Sequence, residues 1–338
     1  MYSRCLRILK RPNGSAAVQR SWTCTTSAQS RLSRGGHSAG AIVRLSATND
    51  SNNTKHKCHH YTTIALTRDL PDSFGDAIVE HYDGESSDVS LATAKAQHDD
   101  YIAAFREFGV STLSLPAAHG LPDSVFVEDT AVVIRHGDDD TRAIILQPGH
   151  VNRQPEVDHI RSILQRLLPA DQIWEMAAMD PDARCDGGDV LYTGRHLFVG
   201  VSERTNEEAL QVMEHVFAGL PLVPVVMPAH APVLHLKSAV THLDDTTLVA
   251  PTAPWANRLL RSMRATALGY DVIRIPSVLA CNVVVLPRGL LLQDTRCAES
   301  RQLLQKAAQA RGLPHRWVDT SELAKKDAAL TCCSILLP

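Results

Sequence analysis

A supersecondary pattern that repeats along most of this chain is the strongest constraint on its fold. From Val125 onward, two short apolar runs joined by a turn are followed by an amphipathic helix and one further strand, with a period of about 45 to 60 residues. Four copies open near Thr130, Val190, Leu236 and Asn282. A repeat of this length predicts an α/β protein with a closed or stacked array, in which each unit covers its neighbour's apolar face.

The two ends of the folded region are predicted to share a fifth unit. The terminal run Cys333–Leu337 reads as its first strand, and the strand from Thr62 to Arg68 and the following helix complete it. Gly109 stands where a glycine commonly ends such a helix. This closure joins the beginning and the end of the array.

Several individual elements are also predicted. We expect a loop at Leu70–Gly75, a turn at His136-Gly137-Asp138, a strand at Leu236–Val240 and a helix around Trp255–Ala267.

Polar residues recur where each unit's first strand begins. If these strands surround a common axis, their leading residues converge on one pocket. The residues are Glu128-Asp129, Asp186-Gly187-Gly188-Asp189, His235-Leu236-Lys237-Ser238, Cys281-Asn282 and Cys332-Cys333.

The composition is that of a globular protein with small-molecule partners. The 338 residues are 44% hydrophobic and carry a formal net charge of −3, which disfavours a nucleic-acid-binding surface or a polybasic membrane patch. No uncharged run approaches the roughly 18 to 20 apolar residues of a membrane span, so we expect a soluble protein. The eight cysteines include no CxxC pair, which favours a reducing compartment without disulfides.

Residues 1–57 differ from the rest, because they are rich in Arg and Ser and contain no acidic residue before Asp50. This composition is typical of an organellar transit peptide, and the alternative is a disordered extension. We therefore expect a mitochondrial or cytoplasmic protein with a single catalytic domain at residues 60–338. The cluster of His56, Cys58, His59 and His60 lacks a second ligand group at metal spacing, so we expect no more than adventitious metal binding there.

Cys332 and Cys333 are the candidate thiols. They begin a strand-like run, in which neighbouring side chains point to opposite faces, so one can reach a site while the other packs behind it. The alternative is that both are buried small hydrophobic residues.

The residues expected around that thiol indicate a cationic substrate. A thiolate beside a histidine performs covalent catalysis, but the carboxylates Asp123, Glu128, Asp129 and Asp186 disfavour a thiolate unless the substrate is positively charged. A guanidinium is a permanently charged fork that carboxylates bind bidentately. Taken singly, the Asp-Gly-Gly-Asp stretch is more often a turn and His235 more often structural, so the argument depends on their recurrence at equivalent positions.

Arg153 and Arg204 follow the second strands of their units, where they could bind an α-carboxylate. Either could instead be a solvated surface charge, and Arg204 could lie in the first helical turn after a Ser202 N-cap.

Five motifs together resemble the dimethylarginine dimethylaminohydrolase family of the guanidine-modifying superfamily. The resemblance extends from about Thr62 to Leu337. The motifs are Leu121 to Asp129 (LPDSVFVED), Asp186 to Leu191 (DGGDVL), Val201 to Asn206 (VSERTN), Leu234 to Ser238 (LHLKS) and Leu330 to Ser334 (LTCCS).

The resemblance implies a five-bladed pseudosymmetric α/β propeller, the pentein fold. Its implied activity is hydrolysis of Nω,Nω-dimethylarginine or Nω-monomethylarginine to citrulline and an amine, with no cofactor and as a monomer or homodimer. Carried over by position, Cys332 is the nucleophile, His235 the proton donor and Asp186 an orienting carboxylate. Zinc is implied only as an inhibitor bound by Cys332, not as a required metal.

The resemblance also implies the substrate-binding residues. Asp123, Glu128 and Asp129 would hold the guanidinium and neighbouring groups, and Arg153 and Arg204 the carboxylate. Phe126 also belongs to this set, and Ile78 and Lys326 contact the amino end through backbone atoms. The sequence departs from the family pattern at Lys326, where animal enzymes carry an apolar residue, and at Ser124, which replaces a common Cys.

Three other functions remain open at this stage. An arginine deiminase or an amidinotransferase would use the same Cys, His and acidic residues, and a catalytically silent methylarginine binder would keep the same pocket. A Cys/His protease does not explain four carboxylates around the thiol.

Overall fold

The computed structural model describes residues 63–81, 86–136 and 140–338. Contacts divide the chain into residues 1–55 and 56–338, and every described residue belongs to the second unit. The predicted extension of residues 1–57, the cluster from His56 to His60, and Gly137 and Asp138 of the predicted turn lie outside the described residues. Within the described ranges, no helix is both long enough and apolar enough to cross a bilayer.

Fifteen strands form within these ranges. They are β1 (Ile64–Arg68), β2 (Ser111–Leu115), β3 (Ala131–His136), β4 (Asp140–Ile145), β5 (Ile173–Glu175), β6 (Val190–Tyr192), β7 (Leu197–Val201), β8 (Leu222–Val226), β9 (Thr241–Asp244), β10 (Thr247–Pro251), β11 (Asp271–Ile275), β12 (Val283–Leu286), β13 (Gly289–Gln293), β14 (His315–Val318) and β15 (Ile335–Leu337).

The α-helices are interspersed among these strands. They are α1 (Leu91–Glu107), α2 (Val157–Leu167), α3 (Met176–Met179), α4 (Glu207–Val216), α5 (Leu236–Ala239), α6 (Pro254–Ser262), α7 (Ala298–Ala310) and α8 (Ser321–Ala324). Short 3₁₀ helices occupy Asp72–Asp76, Val127–Thr130, Val151–Glu156, Ala170–Gln172, Gly187–Asp189, Leu279–Cys281 and Leu330–Cys333.

The strands make five three-stranded sheets with one topology, which confirms the five-bladed α/β propeller. Four sheets follow chain order, from β3-β4-β5 to β12-β13-β14, and the fifth has the order β15-β1-β2. In each blade the first strand is antiparallel to the second, and the second is parallel to the third. The predicted closure is confirmed, because β15 pairs with β1 from Ile64–Leu337 to Leu66–Ile335.

One helix fills each interface between blades, which explains the amphipathic pattern. Helix α2, with Ile160 and Leu164 buried, packs between the fifth and first blades. Helices α4, α6, α7 and α1 occupy the next four interfaces in the same way. Gly109 follows α1 with φ +74°, the left-handed conformation expected of a glycine at this position.

Each first strand is preceded by a short helical turn, which the sequence did not predict. We call these five segments the axial turns: Val127–Thr130, Gly187–Asp189, Leu236–Ala239, Leu279–Cys281 and Leu330–Cys333. The predicted strand at Leu236–Val240 is therefore wrong, because Val240 N donates to Leu236 O at 2.9 Å to close a helical turn, and the strand begins at Thr241.

The same correction applies to the cysteine pair. Cys332 and Cys333 lie in an axial turn, and β15 begins only at Ile335. Strand alternation therefore does not separate the two thiols, and both residues are buried.

Two other element predictions are also corrected. A 3₁₀ helix at Asp72–Asp76 overlaps the predicted loop at Leu70–Gly75. Helix α6 ends at Ser262 rather than near Ala267, because Arg264 adopts φ +54°, outside the helical range.

The five first strands surround a cavity on the propeller axis. Its apolar wall includes Val132, Leu191, Val284 and Leu336, and Glu128, Lys237 and Thr331 also border it.

We predict that the closure of the fifth blade stabilises the whole domain. Ile335→Ala, in the interface of β15 with the first blade, should lower the free energy of unfolding by about 2 to 5 kcal/mol, because Ile335 is 5% exposed. Leu336→Ala on the same strand is the control, and it should cost less because Leu336 is only partly buried beside the axial cavity. Equal effects in urea unfolding would contradict this account.

Candidate active site

The predicted site residues meet in a cavity near the axial turns. Twelve residues line it: Ile78, Asp123, Phe126, Asp129, Arg153, Arg204, Leu234, His235, Lys326, Asp327, Ala328 and Cys332. Nine of the eleven predicted residues are among them. Of the other two, Asp186 lies behind His235 and Glu128 borders the axial cavity.

His235 and Asp186, which immediately precede two neighbouring axial turns, form a buried pair. His235 Nε2 lies 3.0 Å from Asp186 Oδ2, and Gly149 N donates to the other carboxylate oxygen at 2.8 Å. Burial alone would lower the pKa of His235, but Asp129, Asp186 and Asp189 together raise it to about 9. The imidazole is therefore protonated at neutral pH and can donate a proton.

Asp129 is a buried carboxylate held ionised by its surroundings. Its Oδ2 accepts from Arg153 Nη1 at 2.6 Å, and its Oδ1 accepts from Gly188 N at 2.9 Å. Burial favours the neutral acid, but the positive charges of His235 and Arg153 and these hydrogen bonds lower the pKa of Asp129 to about 2. Asp129 thus brings negative charge to the cavity wall.

The glycines of Asp-Gly-Gly-Asp allow this close arrangement. A Cβ on Gly188 would lie 2.5 Å from His235 Nδ1, and one on Gly187 would lie 1.9 Å from Glu128 O. Only glycine fits at these approaches without displacing backbone or imidazole. Asp189 then fixes the neighbouring elements, since it accepts from Leu236 N at 3.0 Å and from Thr205 Oγ1 at 2.7 Å.

Cys332 is a buried thiol whose surroundings favour its neutral form. Only 7% of the residue is exposed, and Ala329 N donates to its Sγ at 3.5 Å. Burial raises the pKa of the Cys332 thiol well above its usual range, and the negative charges of Glu128 and Asp129 raise it further. A cation placed in this cavity would offset those charges.

Glu128 borders the axial cavity and is not among the residues that line this site. Its carboxylate pairs with Lys237 Nζ at 2.6 Å and accepts from Thr331 Oγ1 at 2.9 Å. A direct guanidinium contact for Glu128 stays a prediction.

Both predicted carboxylate-binding arginines are buried and already paired with acidic side chains. Arg153 donates to Asp129, to Glu156 and to the carbonyl of Phe126. Arg204 Nη2 contacts Glu80 Oε1, and its Nη1 lies 4.0 Å from Asp186 Oδ2. Neither is a solvated surface charge. Arg204 also lies outside a helix, because Asn206 caps α4 and Ser202 Oγ accepts from Arg204 N at 3.0 Å.

The remaining predicted residues form the other side of the cavity. Ile78 N donates to Asp123 Oδ1 at 3.1 Å, and Phe126 packs edge-on against Phe74. Lys326 lies in the turn after α8.

Asp129, Asp186 and His235 are also a group with metal-binding geometry, since their ligand atoms lie within 4.8 Å of one another. Cys332, the predicted inhibitory zinc ligand, is not part of that group. Hydrogen bonds among these side chains and to Arg153 and Gly188 account for their proximity.

Sequence reasoning missed the residues that pair with the predicted ones. Glu156 lies three positions after Arg153, a spacing that could have indicated the pair. Glu80 gave no such signal, because it contacts Arg204 across 124 positions of chain.

Comparisons with known proteins identify relatives of this chain. The family described as N,N dimethylarginine dimethylhydrolase, eukaryotic, matches residues 72–278. The N(G),N(G)-dimethylarginine dimethylaminohydrolase of Streptomyces coelicolor is 31% identical over 274 residues, which cover 81% of this chain and 96% of that protein.

Solved structures share the fold. The dimethylarginine dimethylaminohydrolase of Pseudomonas aeruginosa, a cysteine-to-serine mutant complexed with citrulline, is 26% identical with a TM-score of 0.67, over 81% of this chain and 98% of that one. The N-terminal domain of ArgZ, a cyanobacterial arginine dihydrolase, is 18% identical with a TM-score of 0.66, over 82% and 98% of the two chains. At 18% identity, the comparison with ArgZ supports a shared fold and nothing further.

We predict that His235 titrates near pH 9. In NMR titrations its imidazole should remain protonated at pH 7.5, and Asp186→Asn should lower the pKa toward the ordinary value of about 6.5. Because the folded-state pKa is raised, the charge of His235 stabilises the fold fully below about pH 6.5, and this stabilisation is lost as the pH rises through about 9. A wild-type imidazole that is neutral at pH 7.5 would refute the electrostatic description of the site.

Proposed function

Because this chain belongs to the eukaryotic N,N-dimethylarginine dimethylhydrolase family, and is thus a hydrolase acting on C–N bonds, we propose that its substrates are Nω,Nω-dimethyl-L-arginine and Nω-monomethyl-L-arginine. The products are L-citrulline and dimethylamine or methylamine.

The observation that supports this proposal is the placement of Cys332 among buried carboxylates. Burial first, and then the nearby Glu128 and Asp129, raise the pKa of the Cys332 thiol well above its usual range, so the nucleophile is protonated before a substrate binds. A guanidinium bound against Asp129 offsets that negative charge and lowers the pKa of the thiol. The substrate thereby activates the cysteine that attacks it, which a neutral substrate could not do.

The first half of the proposed reaction replaces the amine by sulfur. Cys332 loses its proton to solvent, and its Sγ bonds to the central guanidinium carbon. The bond from that carbon to the methylated nitrogen then breaks, and the amine leaves with a proton donated by His235. The product of this step is a covalent thiouronium on Cys332.

The second half releases citrulline. The neutral His235 now accepts a proton from water, and the resulting hydroxide bonds to the thiouronium carbon. The C–S bond then breaks while the new hydroxyl group gives up its proton to the departing sulfur, so that Cys332 returns to the thiol and the carbon retains the oxygen as the carbonyl of a ureido group. Asp186 keeps the imidazole aligned in both halves, and Asp129 keeps it positively charged at the start.

We predict that Cys332 is essential and its neighbour is not. Incubation with dimethylarginine should yield citrulline and dimethylamine in equal amounts, and Cys332→Ser should reduce kcat at least about 1,000-fold, since an alcohol is a far weaker nucleophile. Cys333→Ala is the matched control, because this adjacent buried thiol is not among the cavity residues, and it should keep most of the activity.

Other outcomes would identify another function. Ammonia released from arginine, with little turnover of dimethylarginine, would indicate the deiminase alternative. Binding of dimethylarginine without turnover by the wild type would indicate a non-catalytic binder.

A further inference from the structure

Asn282 is a buried amide that the proposed reaction does not use. It directly follows the axial turn Leu279–Cys281 of the fourth blade, and only 1% of the residue is exposed. None of the twelve residues that line the active-site cavity lies between Asn282 and Val318. The sequence predicted that the polar residues at this turn would converge with the others, so the contacts of Asn282 bear on its part in the site.

The side chain of Asn282 holds the residue before Cys332 at two points. Its Oδ1 accepts from Thr331 N at 2.9 Å, and its Nδ2 donates to Thr331 Oγ1 at 3.1 Å. The Thr331 hydroxyl in turn donates to Glu128 Oε2 at 2.9 Å. Both the backbone and the side chain of Thr331 are thus fixed, and the nucleophile is the next residue along the chain.

The same amide also reaches the segment that carries His235. Asn282 Nδ2 donates to Lys237 O at 3.0 Å, and Lys237 lies two positions after His235. The Lys237 ammonium pairs with Glu128 at 2.6 Å, which closes the network. One side chain of the fourth blade therefore joins the segment of the nucleophile in the fifth blade to the segment of the proton donor in the third.

The contacts determine how the Asn282 amide is oriented. Thr331 N can only donate and Lys237 O can only accept, so the amide oxygen faces Thr331 N and the amide nitrogen faces Lys237 O. A side chain without an amide could not satisfy both groups. Because unmade hydrogen bonds are costly in a buried environment, these bonds restrict the relative movement of the two segments.

We propose that Asn282 is a positioning residue that sets the place of the Cys332 thiol relative to the substrate and to His235. The inference rests on the proposed hydrolysis, in which Cys332 attacks and His235 protonates the same guanidine. A displacement of a reacting group by about 1 Å can lower a rate about 100-fold. Loss of the amide should therefore slow the chemical step and leave substrate binding in place.

The first test is Asn282→Leu, which approximates the shape of the side chain but removes all three hydrogen bonds. It should lower kcat for dimethylarginine roughly 10- to 100-fold and change KM by no more than about threefold. In the Cys332→Ser background, calorimetry should show that Asn282→Leu changes the Kd for dimethylarginine by less than about twofold. An unchanged kcat, or a parallel loss of binding and turnover, would overturn the proposal.

Gln293→Met is the matched control, because Gln293 is an equally buried amide in the same blade. Its Oε1 accepts from Thr320 Oγ1 at 2.8 Å and its Nε2 donates to Asp294 O, away from the segments of Cys332 and His235. Both variants should lower the midpoint of urea unfolding, but only Asn282→Leu should lower kcat. An equal loss of kcat in the two variants would mean a merely structural role.

Thr331→Val tests the same link with a smaller change and replaces Asn282→Leu if that variant does not fold. It removes the hydroxyl that connects Asn282 to Glu128 and keeps the bond from Thr331 N. Its kcat should fall roughly 3- to 10-fold, and Thr331→Ser, which retains the hydroxyl, should recover most of that loss. A wild-type kcat in Thr331→Val would also overturn the proposal.

Alkylation of Cys332 separates this inference from the proposed function, because it needs no hydrolysis. The probes are 2-chloroacetamidine, a small cation that can bind against Asp129, and its neutral counterpart 2-chloroacetamide. Asn282→Leu should slow alkylation by the cation at least about tenfold and alkylation by the neutral probe by no more than about twofold.

A wild type that fails to hydrolyse dimethylarginine but shows this difference on mutation would refute the hydrolase and keep the positioning role. Equal rates of 2-chloroacetamidine alkylation in Asn282→Leu and the wild type would refute the positioning role alone.

Discussion

The balance of buried charge around Asp129 is the constraint on which the site depends. This one carboxylate accepts from Arg153 and from Gly188 N, and it is the largest electrostatic cause of the raised pKa of His235. It also raises the pKa of Cys332. The ionised Asp129 carboxylate therefore keeps His235 protonated and disfavours ionisation of the Cys332 thiol until a cationic substrate binds.

The fold makes this concentration of charge possible. Each blade contributes an axial turn, and the apolar interfaces between blades hold the turns in place through the helices packed there. Polar side chains at the turns can then lie within hydrogen-bonding distance although they come from distant parts of the chain, as His235 and Asp186 do. The Glu128–Lys237 ion pair, at 2.6 Å, borders the largely apolar axial cavity.

Much of this arrangement could be predicted because it repeats. The ββαβ period predicted the blades and the closure of β15 on β1, and the recurrence of polar residues at the first strands predicted that Asp129, His235 and Cys332 would converge. The axial turns could not be predicted, since runs such as Leu236 to Val240 have apolar content that suits a strand. The pairing of Glu80 with Arg204 depends on tertiary contact alone, so no local pattern indicates it.

The pH dependence of alkylation at Cys332 in the empty protein tests the central claim most directly. Iodoacetamide labelling of the Cys332 peptide, quantified by mass spectrometry, should accelerate up to and beyond about pH 9 without a plateau near neutrality. In Asp129→Asn the rise should begin at lower pH, because one of the charges that raises the thiol pKa is gone. A labelling rate that is already maximal at pH 7, and unchanged in Asp129→Asn, would contradict the account.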